Sequence, residues 1–201
     1  MTAIKICGIT RRADAEAAAA CGADFVGFVL WPNSPRAIGI DRVGDLVAAL
    51  PPAVTPVGVF VNPSADEVIA AADAGIRIAQ IHSDAPAFLR GVTIPIVRAV
   101  HLTDQGIEPD IPDELVLLDA HDPVTKGGTG KTIDWQRASR IARSRRVILA
   151  GGLTPANVAE AIATVNPFAV DVSSGVETSP GIKDHASIRA FITAVRESHV
   201  I

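Results

Sequence analysis

Eight short apolar runs, separated by stretches of helical spacing, constrain this sequence more than any other feature. They lie at 3–7, 25–30, 56–61, 76–82, 94–100, 115–119, 147–150 and 168–172. Each is rich in Val, Ile or Leu and apolar on both faces, which is the pattern of parallel strands buried between two apolar layers. Helical stretches fall at 14–21, 41–50, 64–74, near 86–90, and at 135–143, 154–165 and 185–197. Asp41, Ser64 and Thr154 (before Pro155) read as capping residues, and Gly22 and Gly75 as stops. Strands alternating with helices call for a parallel sheet. Eight such units within 201 residues favour closure into an α/β fold of the eight-stranded (β/α)8, or TIM, barrel type, one domain over 1–201. One unit is thin: between Val100 and Leu115 the chain carries Pro109 and Pro112 and no helical period. The fifth helix is expected to be reduced to a loop there.

Composition narrows the function classes. Apolar residues make up 48% of the chain with no tyrosine, so small aliphatic side chains do the packing. The formal net charge of −4 is scattered, with no basic block for nucleic acid or an anionic membrane. Two cysteines do not make a disulfide framework, and a reducing cytoplasm is the expected setting. The chain enters a strand within three residues and no apolar run reaches ~18 residues, so neither a signal peptide nor a membrane span is expected. No apolar surface stripe stands out, and a monomer is expected. No His, Cys and Asp cluster has metal-ligand spacing, so no metal is expected.

In such a barrel the residues at the C-terminal ends of strands share one rim. The first run ends in Ile4-Lys5-Ile6-Cys7-Gly8-Ile9-Thr10. Alternation puts Lys5 and Cys7 on the same side, roughly 6–7 Å apart along the strand. A nearby ammonium favours the thiolate, the form that takes a proton or attacks carbon; otherwise Cys7 is a small buried apolar residue. Cys21, before Gly22, reads as structural. Asp119 closes the run Leu115-Val116-Leu117-Leu118, where partial desolvation suits a general acid; the bland reading is a cap or a loop hydrogen bond. Asp171, within Ala169-Val170-Asp171-Val172, either pairs with Lys5 inside the barrel or meets a substrate hydroxyl. Arg36 follows the turn Trp31-Pro32-Asn33-Ser34-Pro35 and either clamps a carboxylate or is exposed to solvent. Two glycine loops, at Gly151-Gly152 and at Ser174-Gly175, follow the last two strands, where this fold binds phosphate on backbone N–H groups. Lys126-Gly127-Gly128-Thr129-Gly130-Lys131 lacks P-loop spacing and reads instead as a loop that closes over a ligand. His82 carries no catalytic role in this reading.

Several motifs together resemble the phosphoribosylanthranilate isomerase family. They are Lys-Ile-Cys-Gly-Ile-Thr (5–10), Gly-Phe-Val-Leu-Trp-Pro-Asn-Ser-Pro-Arg (27–36), Val-Gly-Val-Phe-Val-Asn (57–62) and Gln-Ile-His (80–82). Leu-Leu-Asp (117–119), Gly-Gly-Thr-Gly-Lys-Thr-Ile-Asp-Trp (127–135) and Gly-Gly-Leu-Thr-Pro-Ala-Asn-Val (151–158) follow in order. Val-Asp-Val-Ser-Ser-Gly-Val-Glu-Thr-Ser-Pro-Gly-Ile-Lys-Asp (170–184) closes the set. The resemblance runs end to end. It implies an Amadori rearrangement in tryptophan biosynthesis without metal or organic cofactor, acting on a phosphorylated small molecule. By the same resemblance, Cys7 is the general base, Asp119 the general acid and Arg36 the ligand of the anthranilate carboxylate. The phosphate is expected around Gly151, Gly152, Ser174 and Gly175, with the Gly127–Gly130 loop, Gly127 and Gly128 included, closing over the ligand. Ser83, where the family usually has glycine, and a shortened segment before Leu115 depart from the pattern. The alternatives are another phosphate-handling barrel enzyme of tryptophan or histidine biosynthesis, and a phospho-ligand-binding barrel without catalysis.

Overall fold

The strand runs hydrogen-bond edge to edge, all in parallel, until the eighth meets the first. β1 (Ala3–Ile6), β2 (Phe25–Val29), β3 (Thr55–Val61), β4 (Ile78–His82), β5 (Ile96–Leu102), β6 (Leu115–Ala120), β7 (Arg146–Leu149) and β8 (Ala169–Val172) form a closed barrel in sequence order. The computed structural model describes residues 1–82, 89–102, 114–120 and 133–198. Around the barrel run α1 (Arg12–Cys21), α2 (Ile40–Val47), α3 (Ala65–Asp73), α4 (Trp135–Ala142), α5 (Val158–Val165) and α6 (His185–Glu197). The expected short helix near 86–90 and the expected loss of the fifth helix both fall largely outside the described residues.

Each strand is apolar on both faces because each face has its own core. Ile4, Ile6, Val26, Phe28, Leu118 and Leu149 point outward, in one cluster with helix residues such as Ile188 and Phe191. The interior is filled separately by Val97, Ala99, Leu117, Ile148, Ala150 and Ala169, with Cys7, Val29 and Val59 forming a further cluster. Interior positions of such a barrel stack in layers rather than enclosing a pore. The closing seam is specific: the β1–β8 register sets Lys5 beside Asp171.

Element ends depart from sequence expectation for local reasons. Ile76 donates its N–H to Ala71, completing the turn after α3 with Gly75 at φ +112°, so β4 begins two residues late. Ser64 caps α3 through a reciprocal capping box with Glu67, as expected. Asp41 instead sits in the first turn of α2, with Gly39 at the cap. Thr154 precedes a turn, and α5 starts at Val158, whose N–H reaches the Thr154 carbonyl at 3.1 Å. After β8 the chain makes a 3-10 turn (Ser174–Val176) and an antiparallel hairpin, β9 (Glu177–Ser179) and β10 (Ile182–Lys183). Gly181 (φ +79°) follows Pro180 in the turn between them.

The hairpin is tied to α1 and α6 by a buried carboxylate. Asp14, with no exposed surface, accepts from Arg11 Nε at 2.9 Å and Nη2 at 2.8 Å, and from the Lys183 N–H at 3.2 Å, and it meets His185 Nε2 at 2.8 Å. Burial alone would raise its pKa, but the Arg11, His185 and Lys183 bonds outweigh it and hold the carboxyl below the ordinary value. The folded chain therefore binds this proton less readily than the unfolded chain. The stabilisation is complete above the unfolded pKa of ~3.9 and is lost as pH falls through the folded value. Asp14→Asn is expected to cost about 2 kcal/mol at neutral pH. In urea titrations, the gap between variant and parent should close as the pH is taken below ~4.

Candidate active site

The C-terminal ends of the strands open into one cleft. Its lining includes Cys7 from β1, Asp119 from β6 and Asp171 from β8, together with Arg36, Gly152 and Ser174 from the loops. Gly151 and Ser173 also line it. Gly127 and Gly128, like Ser83, lie outside the described residues.

Cys7 directly follows β1 and is held by its N–H to the Val172 carbonyl at 2.8 Å. Two glycines shape its surroundings. Gly8, at φ +74°, turns the chain away; a Cβ there would lie 2.6 Å from Arg36 Cδ and 2.9 Å from Ser173 Oγ. A Cβ on Gly27 of β2 would lie 2.8 Å from Cys7 Sγ and 3.1 Å from Lys5 Nζ. Thiol and ammonium thus share the space that a side chain on β2 would occupy.

The spacing in β1 predicts a thiolate favoured by Lys5, and the structure reverses the net sign. Burial pushes the Cys7 thiol pKa above its usual value; Lys5 and Lys183 pull it down, while the Asp171 carboxylate adds to the rise. Burial also works against the Lys5 ammonium, but the Asp171 carboxylate, the strongest of the groups that favour it, holds Lys5 protonated. Cys7 is therefore a thiol at neutral pH with a minor thiolate fraction. Such a thiolate is the more basic for being scarce.

Asp171 forms the expected interior pair with Lys5. Its Oδ2 accepts from Lys5 Nζ at 3.0 Å, whereas its Oδ1 is buried in the cleft wall with no hydrogen-bond partner. A buried acceptor without a donor is costly, and a ligand hydroxyl is the group that would satisfy it. Asp119 lies near the end of β6 beside His101 of β5 in register, and is 7% exposed.

Arg36 is buried, which removes the solvent-exposed reading. Its Nε and Nη2 grip Glu177 of β9 at 2.7 to 3.1 Å, leaving Nη1 outside that fork. Glu177 also accepts from Lys183 Nζ at 2.7 Å, and Lys183 donates to the Ser173 carbonyl at 3.0 Å. Burial would raise the Glu177 pKa, but the two cations hold it below the usual range. Glu177 and Lys183 escaped sequence reasoning as positioning residues. The Pro180-Gly181 pair was the available signal, since it marks a tight turn that folds Lys183 back onto Glu177.

The glycine loops meet. A Cβ on Gly175 would fall 2.0 Å from the Leu153 carbonyl oxygen, so glycine is what lets the loops after β7 and β8 touch; Gly175 itself does not line the cleft. Gly151 (φ +83°) and Gly152 (φ +64°) turn the first loop. Asn157 braces it by accepting from the Thr154 N–H at 2.8 Å and donating to the Gly152 carbonyl at 3.0 Å. Among the described residues no group of three His, Cys, Asp or Glu side chains could hold a metal ion. None of their helices is long and apolar enough to cross a membrane.

A closed parallel barrel whose thiol, carboxylates and guanidinium gather at the C-terminal rim defines the class of (β/α)8-barrel enzymes. Within that class, the model of the N-(5'-phosphoribosyl)anthranilate isomerase family matches residues 4–194. The N-(5'-phosphoribosyl)anthranilate isomerase of Pseudomonas fluorescens is 48% identical, over 96% of this chain and 97% of its own length. The crystal structure of phosphoribosyl anthranilate isomerase from Thermus thermophilus superposes with a TM-score of 0.87 at 37% identity, covering 98% of this chain and 99% of that one. A further structure of the enzyme, in complex with reduced 1-(o-carboxyphenylamino)-1-deoxyribulose 5-phosphate, gives 0.83 at 36% identity over 98% and 100%. The chain belongs to the N-(5'-phosphoribosyl)anthranilate isomerase family, the aldose–ketose isomerases of tryptophan biosynthesis.

Proposed function

We propose that Cys7 and Asp119 are the base and acid with which this chain converts N-(5'-phosphoribosyl)anthranilate to 1-(2-carboxyphenylamino)-1-deoxyribulose 5-phosphate. The observation that carries this assignment is that one cleft receives both groups, from strands β1 and β6 on different sides of the barrel. A sugar lying between them is open to both.

The chemistry accords with the residue types. Asp119, protonated, delivers its proton to the furanose oxygen; the C1–O bond breaks as the nitrogen lone pair forms the Schiff base. The adjacent iminium acidifies C2–H, and the Cys7 thiolate takes that proton to leave an enolamine. Loss of the O2 proton and protonation at C1 give the ketone, so the rearrangement needs no external oxidant or reductant. Asp171 Oδ1 accepts a sugar hydroxyl, while Arg36, steadied by Glu177, holds the anthranilate carboxylate through Nη1. The phosphate rests on the loops of Gly151, Gly152, Ser174 and Gly175. A relative of the same fold forms a complex with reduced 1-(o-carboxyphenylamino)-1-deoxyribulose 5-phosphate, which supports the class of substrate. The chain works as a monomer in the reducing cytoplasm. In support, both cysteines are free, and among the described residues the most exposed large apolar ones, Met1, Ile40, Ile96 and Ile182, are scattered along the chain.

Freshly generated phosphoribosylanthranilate, followed by loss of its fluorescence, tests the activity directly. Turnover is expected; tight binding of the reduced product analogue without turnover would leave a binding protein instead. In the same assay, Arg36→Lys keeps a cation near Glu177 but loses the planar fork. KM is expected to rise about tenfold with kcat little changed, as for a lost charge-assisted bond. An unchanged KM would remove Arg36 from the carboxylate.

A further inference from the structure

Below the catalytic cleft, toward the N-terminal ends of the strands, the barrel interior holds a second cavity of about 170 Å³. Phe25, Val57, Ile78, Val97, Ile148 and Phe168 form much of its wall. It exists because the interior is incompletely filled at this level: Ala169 is small, and Lys5 sends its ammonium to Asp171 instead of filling the space. Gln80 lines both cavities, and Lys5, which lines the lower one, is bonded to Asp171 of the upper. The two chambers are therefore separated by a polar layer, not by a continuation of the apolar core.

The cationic and N–H groups at the lower chamber are directed to other partners. Lys5 is neutralised by Asp171, Gln80 Nε2 lies 2.9 Å from His82 Nε2, and the Arg146 guanidinium stacks 3.7 Å from the centre of the Phe168 ring. None of the lining side chains has a buried polar atom left without a partner. A charged ligand would lose its hydration here against walls that are almost wholly apolar. An apolar one regains the contacts that the empty walls forgo. Dry apolar cavities of roughly 150 Å³ take up benzene or xenon, and Phe25 and Phe168 offer ring edges and faces to an aromatic guest.

We propose that this lower chamber is a binding site for one small, neutral, single-ring aromatic molecule. The site is independent of the isomerase assignment, and its test needs no substrate. Benzene is the probe, read by thermal unfolding and by the methyl NMR signals of Val57, Val97 and Ile148. The parent protein should gain Tm with benzene concentration as mass action requires, with saturable shifts confined to those methyls. Val97→Phe, which fills the chamber, should lose both responses. Should that variant not fold, Ile148→Ala, which enlarges the chamber, should lower the benzene-free Tm and show a larger gain with benzene. The proposal is overturned if the parent shows neither response, or if the response is unaltered in the filled or the enlarged variant.

Discussion

Replacing Cys7 by serine, or Asp119 by asparagine, is expected to lower kcat by ~10²-fold or more, the usual worth of a positioned acid or base. The substitutions are nearly isosteric, and they fail for different reasons. A serine hydroxyl cannot ionise to a useful extent in a buried site, so C2–H loses its base while the cleft keeps its shape. Asparagine at 119 still donates a hydrogen bond but has no carboxyl proton to transfer, so ring opening stalls before the Schiff base forms. KM should move little in either variant, because neither group is asked to hold the phosphate or the carboxylate of the substrate. Steady-state fluorescence kinetics with purified variants measure both constants. Full activity in either variant would remove that residue from the chemistry while leaving the family membership intact.

Lys5→Met is expected to have the largest effect on stability. Lys5 is 2% exposed, and its ammonium lies against Asp171, itself 8% exposed, at the seam that closes the barrel. Methionine fills much of the volume but leaves the Asp171 carboxylate buried without its cation. Breaking one side of a buried pair costs about 3–5 kcal/mol, which corresponds to a drop in Tm of roughly 10 °C for a chain of this size. Calorimetry should also find that Lys5→Met with Asp171→Leu recovers much of the loss, since removing both charges removes the stranded one. A second readout separates a catalytic consequence from a packing one. Without the ammonium the Cys7 thiol should ionise at still higher pH, visible in the ultraviolet absorbance of the thiolate with Cys7→Ser as the blank. An unmoved thiolate titration would confine Lys5 to structure.

The barrel was legible because its signal is local and repeated: each strand advertises two buried faces, and each helix its spacing. Strand and helix ends were less so, since they depend on how the chain leaves each turn. Ile76 is as apolar as a strand residue, yet its N–H is taken by the end of α3. The site residues Cys7, Asp119 and Asp171 could be singled out because strand ends converge in this fold whatever the loops do. The Arg36–Glu177–Lys183 chain could not, since it joins residues 141 and 6 positions apart through a hairpin whose strands are only three and two residues long. The sign of the Cys7 shift was out of reach for another reason. Sequence places one cation near the thiol, but the burial and the Asp171 carboxylate that outweigh it are products of barrel closure.

The pH dependence of kcat/KM, compared between the parent and Cys7→Asp, tests the central claim most directly. A base must be deprotonated to act, and burial raises the pKa of Cys7. Asp119 must at the same time keep its proton, so the parent's kcat/KM should stay level while growing thiolate offsets that proton's loss, and fall only once Cys7 is fully ionised, well above neutrality. A carboxylate at position 7 starts from a much lower reference pKa of ~3.9 against ~8.5 for cysteine. Whatever its residual rate, its alkaline limb should lie well below the parent's. Two profiles with the same alkaline limb would contradict the account, because the titration controlling that limb would then belong to a group other than Cys7.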